Sequence, residues 1–283
     1  MKFFTFLARR FVAGETVDKA MKAVKKLNDK NITCTLDILG EDVTNKKEAE
    51  KFADDYISLL DEIKKHKVNS GVSIKLTMTG LRIDKDFCIK NTERIVKKAK
   101  QNKNFVRIDM EGSDVTDITL DVFKALYKKY PKHVGIVLQA MLFRAEKDVK
   151  DMNKMKATVR LCKGAYKEPK NIAYKKMTDI RENFMKLTKM LLDKGVYPAI
   201  ATHDKLLINA SLDYAKKKKI SNDKYEFQML YGIQRAMQEK LAEDGYNMRV
   251  YVPFGTHWFP YFYRRLRERK ENVLFILKHF FQK

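Results

Sequence analysis

Cysteine is scarce in this sequence. There are three in 283 residues, Cys34, Cys88 and Cys162, far apart and with no C-x-x-C pair. Such spacing offers neither a disulfide framework nor a zinc-ligand pattern, and it fits a reducing compartment. Glycine and proline are also few, 11 and 5, which excludes collagen-like and low-complexity chains. No G-x-G-x-x-G follows the first strand-like run and no G-x-x-x-x-G-K-[ST] occurs anywhere, so the two common phosphate-cradling loops are missing. Long apolar runs are absent as well. The opening, Met1 to Ala13, is apolar around Arg9 and Arg10, but it is too short to span a bilayer and lacks the order and cleavage site of a signal peptide. It reads as an N-terminal helix, with a surface anchor as the alternative.

What the sequence does have is positive charge and enough apolar material to bury. Lys+Arg number 59 against 36 Asp+Glu, a net charge of +23, and 45% of residues are hydrophobic. That hydrophobic fraction excludes a disordered chain. The charge invites a nucleic-acid or membrane reading. Only 14 of the 59 cations are Arg, however, and four of those crowd into 264–269. Arginine is the residue of choice for bidentate phosphate and base contacts. The lysines, such as Lys64, Lys65, Lys67 and the run Lys216 to Lys219, fall on helix faces that read as solvated. No aromatic–basic stacking motif accompanies them, so no nucleic-acid partner is expected.

Short β-branched runs at 32–38, 72–76, 105–109, 134–138, 157–162, 197–201, 226–230 and 248–252 alternate with amphipathic stretches such as 45–66, 85–102, 170–194 and 232–244. Phe184, Leu187, Met190 and Leu191 show the three-and-four spacing of one buried helix face. Strands separated by helices predict a parallel sheet with crossover helices. Eight strand starts, roughly 31 residues apart, favour an α/β (β/α)8 TIM barrel over an open doubly wound sheet. Residues 1–31 are expected to form two helices, the second over Val17 to Asn28, outside the barrel of 32–283. No linker or composition break divides the chain, so one domain over 1–283 is expected.

In such barrels the chemistry sits at the C-terminal ends of the strands. Polar residues cluster there: Asp37, Lys75, Asp109 with Glu111, Gln139, Arg160 with Lys163, Thr202 with His203, Gln228, and the PFGT turn of 253–256. Each alone has a plain structural explanation; Lys75 could cap a helix, Asp109 could pair with an arginine, His203 could cap its strand. Together on one rim they are harder to dismiss, since burial without function costs desolvation at every position. RLCKGAY (160–166) combines two cations with a glycine, allowing close backbone approach to an anionic or planar ligand. In YFYRRLRER (261–269), Tyr261, Arg264, Arg265 and Glu268 share one helix face. Paired arginines beside a tyrosine suit a carboxylate, and after the last strand this helix is expected to cover the barrel mouth.

The ordered segments VSIKLT, RIDMEGS, GIVLQAMLFRAEKD, VRLCKGAYKEP, YPAIATHD, FQMLYGI and VPFGTHWFPYFYRRLRER, with RFVAGET (10–16) and ITCTLDILGE (32–41) before them, resemble the proline dehydrogenase family. The likeness runs from about residue 9 to about 280 and is nearer to the monofunctional bacterial enzymes than to the long fusions with an aldehyde dehydrogenase. It implies a distorted barrel holding FAD non-covalently, oxidation of L-proline to Δ1-pyrroline-5-carboxylate, and electron delivery to a membrane quinone. By motif position, Lys75, Arg264 and Arg265 would bind the proline carboxylate. Tyr166, Leu230 and Tyr261 would wall the ring, and Asp109 would orient the basic groups. Gln139, Arg160, Lys163, Gly164, Thr202, His203 and Glu268 would hold the flavin, with Arg160 near the isoalloxazine N5. A separate pyrroline-5-carboxylate dehydrogenase would take the product. A cytoplasmic location is implied, with peripheral contact at the inner face of an anionic membrane as a variant of it. Met141, Phe143, Gly112 and the THW triplet at 256–258 depart from the family's usual residues, which touches the flavin environment and the lid but none of the expected contacts. A Schiff-base aldolase using Lys75 and a basic nucleic-acid-binding module remain the alternatives.

Overall fold

The computed structural model describes residues 10–40 and 42–268, the last five of these as backbone only. Eight parallel strands close into a barrel in sequence order: β1 (Thr33–Ile38), β2 (Ser70–Ile74), β3 (Val106–Ile108), β4 (Val134–Gln139), β5 (Val159–Cys162), β6 (Ala199–Ala201), β7 (Glu226–Leu230) and β8 (Asn247–Phe254). β8 closes the barrel on β1, with Thr35 opposite Tyr251 and Asp37 opposite Pro253. Crossover helices α2 (Lys46–Lys65), α3 (Lys85–Gln101), α4 (Thr116–Lys129), α5 (Ala145–Lys154), α6 (Met177–Lys194), α7 (Lys205–Lys217) and α8 (Arg235–Glu243) follow β1 to β7 in turn, preceded by α1 (Val17–Asn28). The expected (β/α)8 fold is therefore what the chain adopts.

The strands explain where the core lies. Along each strand side chains alternate between faces. One set, including Leu36, Ile74, Ile108, Ile136, Leu161 and Phe227, is buried against the helices in one apolar cluster. The other set, at Thr35, Asp37, Ser73, Arg107, Arg160, Glu226, Gln228 and Arg249, is polar yet also largely buried. The hydrophobic core thus forms the layer between sheet and helices, and the barrel interior is filled by a charged, hydrogen-bonded network. Gly135 makes room for it: a Cβ there would lie 2.5 Å from Arg107 Nη1 and 2.4 Å from Thr158 Oγ1.

Helix starts are capped by side chains where the sequence permits. Thr16, Asn45 and Asp84 accept from the third residue on, Lys19, Glu48 and Phe87, satisfying amides that have no intrahelical partner. At the other end α1, α2, α3, α5 and α7 stop on a left-handed residue, Asn31, Lys67, Lys103, Lys156 and Lys219, with φ between 52° and 57°. The next amide then reaches back, as from Val68 to Ile63 O at 3.3 Å and from Asn104 to Ala99 O at 2.7 Å. Glycine is the usual residue for this stop; here it is mostly lysine.

Two expectations need adjusting. The helix expected from residue 170 begins at Met177; instead, the backbone of 172–174 pairs with 141–143, Phe143 donating to Ile172 O at 3.0 Å and Tyr174 to Met141 O at 2.8 Å. Ala173 is buried there with Met141 and Leu142, so strand-like pairing over the mouth outcompetes another helical turn. The first of the two N-terminal helices falls largely on residues 1–9, outside the described residues; residues 10–16 run as turns and bends into α1. α1 covers the β8–β1 flank, because the helix after β8, α9 (Trp258–Glu268), lies elsewhere. Phe262 and Tyr261 of α9 pack with Phe11, Val12, Leu39 and Ile233, which places α9 over the ends of β1 and β7, at the mouth.

Candidate active site

The C-terminal mouth holds a cavity of about 840 Å³. Lys75, Asp109, Tyr166, Leu230 and Tyr261 line it, and so do Gln139, Arg160, Lys163, Gly164, Thr202 and His203. Barrel closure thus brings together every residue that the resemblance assigns to substrate or flavin and whose side chain is described, whereas the PFGT turn of 253–256 does not line the cavity. The side chains of Arg264, Arg265 and Glu268 lie outside the described atoms; their backbone belongs to α9.

Lys75 follows β2 directly, extended at φ −102°, and donates to both oxygens of Asp37 at the end of β1, 2.7 Å and 2.9 Å away. Asp37 is 1% exposed. Burial works against the Lys75 ammonium, but the facing carboxylates of Asp37 and Asp109 outweigh it and hold its pKa above the ordinary lysine value. Lys75 is therefore a fixed cation. Tyr56 from α2 donates to Ser73 O at 2.8 Å and lies 3.3 Å from Asp37 Oδ1, bracing the pair from behind.

Asp109, just beyond β3, is a hub. Its Oδ1 accepts from Ser73 Oγ at 2.6 Å and from Arg160 Nη1 at 2.8 Å, and its Oδ2 from Tyr251 Oη at 2.9 Å. The Arg160 guanidinium also sits over the Tyr251 ring, 5.4 Å from its centroid. Burial and then Asp109 push the Tyr251 phenol well above its ordinary pKa, so it stays a neutral donor. The plain reading of Asp109 as an arginine partner holds, and it fixes Arg160 in one orientation.

On the far side, Lys163 Nζ and Arg181 Nε both donate to Asp204 Oδ2 at 2.6 Å, leaving this trio with one net positive charge. Burial alone would raise the Asp204 carboxyl, but the bonds from Lys163 and Arg181 bring it below the usual range. Asp204 also caps α7, accepting from Leu206 N at 3.2 Å. His203 Nε2 accepts from Leu230 N at 2.9 Å, which fixes its ring and requires an unprotonated Nε2. Gly164 sits between these groups at φ +109°, with Met141 Sδ only 2.4 Å from where a Cβ would stand. Any larger residue there would meet both the left-handed penalty and that sulfur.

Two buried polar atoms in the cavity wall lack a partner among the described residues, Gln139 Oε1 and Arg160 Nε. Gln139 Nε2 is occupied by Met110 O and Glu111 O, both at 3.2 Å. An orphaned acceptor and an orphaned donor on neighbouring strands ask for a ligand carrying both groups. Among the described residues no cluster of His, Cys, Asp and Glu could hold a metal.

Sequence reasoning flagged Asp37 without giving it a role and passed over Ser73, Tyr251 and Asp204. The signal for the first three was present: polar residues at every second position of runs that, in a parallel barrel, should be apolar on both faces. Asp204 gave only the weaker signal of a helix cap.

A closed parallel barrel with its fixed cations and unpaired hydrogen-bonding groups at the C-terminal mouth is the architecture of a ligand-binding barrel enzyme. The family model for proline dehydrogenase matches residues 20–278. Proline dehydrogenase 2 of Bacillus subtilis is 41% identical over 271 residues, covering 96% of this chain and 89% of its own length. The proline dehydrogenase of Deinococcus radiodurans is 38% identical over 276 residues, with the same coverages of 96% and 89%. Among solved structures, proline utilization A from Bdellovibrio bacteriovorus, inactivated by N-propargylglycine, superposes with a TM-score of 0.86 at 28% identity over 93% of this chain. The chain spans about a third (32%) of that longer protein. The chain belongs to the proline dehydrogenase family, oxidoreductases acting on the CH–NH group of donors.

Proposed function

We propose that the barrel mouth binds FAD and L-proline together and that the chain oxidises proline to Δ1-pyrroline-5-carboxylate by hydride transfer to the flavin N5. The observation that carries this reading is the one cavity that gathers the eleven predicted residues with described side chains and leaves Gln139 Oε1 and Arg160 Nε unpaired in its wall. Its volume lies within the usual range for cofactor sites, about 300–1,000 Å³. A heteroaromatic ring system with donor and acceptor edges answers both orphaned atoms, so the residues present fit the flavin.

Bound FAD would supply the two-electron acceptor that no side chain offers. Gln139 and Arg160 would hold the isoalloxazine, Arg160 on the N5 side. Lys163, Gly164, Thr202, His203 and Glu268 would hold the remainder, the single net charge of the Lys163–Arg181–Asp204 trio suiting a phosphate. Lys75, kept protonated by Asp37, would take the proline carboxylate with Arg264 and Arg265 from α9. Tyr166, Leu230 and Tyr261 would wall the ring and exclude water. Three donors occupy Asp109, so its role is to position Arg160 and Tyr251. The proline ammonium would give its proton to solvent on binding, and hydride loss from the neutral amine would leave the iminium form of the product, whose proton also goes to solvent. Anchoring the carboxylate at fixed cations aims the carbon that loses hydrogen, and that orientation is the main catalytic contribution of the protein.

Electrons would leave to a membrane quinone and the product to a separate pyrroline-5-carboxylate dehydrogenase. Among the described residues no helix is long and apolar enough to cross a membrane; the lysine excess would supply a peripheral attraction to an anionic bilayer at the cytoplasmic face. The aldolase alternative is disfavoured by Lys75 itself, because a Schiff-base lysine needs a neutral amine and this one is held charged.

The Bdellovibrio structure was inactivated by N-propargylglycine, a secondary amino acid that presents a carboxylate and an amine as proline does. Incubating the holoenzyme with this compound should abolish turnover irreversibly, with proline protecting. Full activity after prolonged incubation would count against a shared site.

A further inference from the structure

The opposite, N-terminal end of the barrel holds a second cavity, of about 760 Å³. Its rim is built by the connections entering β2, β3 and β4, which bring Lys64, Lys67, Lys103 and Lys132 to it. All four are outside every ion pair found among the described residues. On its floor lies Arg107, only 6% exposed. Its Nη1 donates to Ile136 O at 3.1 Å and Thr158 O at 2.8 Å, and its Nε and Nη2 make no hydrogen bond among the described residues. The one carboxylate among the described wall residues, Glu226, is already taken by Arg249 at 2.9 Å and 3.0 Å. Burial, and then the charge of Arg160, work against the protonated guanidinium, the mark of a buried cation without a full counter-charge.

Two rim lysines occupy the left-handed helix stop that Lys156 and Lys219 also occupy away from the chamber. Lys67 and Lys103 are left-handed, at φ 53° and 52°, positions that glycine would fill at lower cost. Four lysines, a half-satisfied guanidinium fork and one neutralised carboxylate form a concave, strongly positive chamber. The mouth chemistry does not use it.

We propose that this chamber is a binding site for a polyvalent phosphate anion, with the Arg107 fork taking one phosphate group and the rim lysines the surrounding charge. Size favours a diphosphate over a single phosphate. The same chemistry could be offered by a soluble diphosphate or by the headgroup of an anionic phospholipid, and the buried position of Arg107, below the rim, favours the soluble form.

The test uses the full-length holoenzyme, with pyrophosphate titrated calorimetrically at constant ionic strength against sulfate as control. Pyrophosphate should bind at one site, more tightly than sulfate, and raise the melting temperature. The Lys67→Gly/Lys103→Gly variant should fold at least as stably, since glycine suits both backbones, yet bind pyrophosphate about tenfold or more weakly. Lys132→Ser, at an ordinary backbone position, should weaken binding in the same direction and guards against a folding defect in the first variant. Sedimentation with phosphatidylglycerol vesicles distinguishes the sources: vesicle binding lost in the double variant without pyrophosphate binding would overturn the soluble assignment. Pyrophosphate binding no tighter than sulfate, or unchanged in both variants, would overturn the site.

Discussion

Lys75 and Asp37 form the most consequential pair in the mouth, because the Asp37 carboxylate is buried and the half-buried Lys75 ammonium answers it. Replacing Lys75 with Met would strand the Asp37 carboxylate, and losing one partner of a buried ion pair costs about 3–5 kcal/mol. Adding Asp37→Asn should restore more than half of that loss without restoring turnover; denaturant unfolding of the three variants checks the coupling. Arg264→Met and Arg265→Met should each raise the proline KM about tenfold or more, since a charge-assisted bond is worth about 1.5–3 kcal/mol, while FAD stays bound. An unchanged KM in both would remove the carboxylate clamp from the account. Asp204 carries a pH signature. Its folded pKa is lowered, so its stabilising effect is present above the unfolded carboxylate pKa and lost as pH falls through the lower folded one. Asparagine at this position can still cap α7, so Asp204→Asn isolates the charge. The variant should be about 1–2 kcal/mol less stable near neutrality, and the difference should close below the ordinary carboxylate pKa of 3.8; melting curves across that range test it.

At the scale of elements, α9 is the part whose position matters most for the substrate. It is held by Phe262, 1% exposed, with ring centroids 6.2 Å from Phe11 and 6.1 Å from Trp258. Phe262→Ala should cost about 3 kcal/mol of local packing and raise the proline KM by freeing the helix that carries Arg264 and Arg265. The strand-like pairing of 172–174 with 141–143 was not legible from periodicity, since Met177 onward continues a helical pattern and nothing local marks where it must start. The alternation of strands and helices was legible, because β-branched runs recur eight times with amphipathic stretches between them. What could not be read was the neighbour relation across strands. Ser73, Asp109, Arg160 and Tyr251 come from β2, β3, β5 and β8 or their ends, and only closure of the barrel makes them one network.

Over the whole molecule, charge has three separate destinations. The Lys216 to Lys219 run is exposed, as the composition suggested. A few cations converge on the mouth, which motif order revealed and net charge did not. A third group, around Arg107, escaped sequence reading because its members come from three different connections, each of which looks like an ordinary helix end. The barrel interior is charged along its axis, with Arg160 lining both chambers, so stability rests on the apolar layer outside the strands. The central claim, that the mouth couples a bound flavin to proline, is tested most directly by the visible absorption of the purified protein under anaerobic conditions. The account predicts a yellow protein whose flavin bands bleach when L-proline is added. A colourless protein that FAD cannot reconstitute, or a flavin spectrum indifferent to proline, would contradict it.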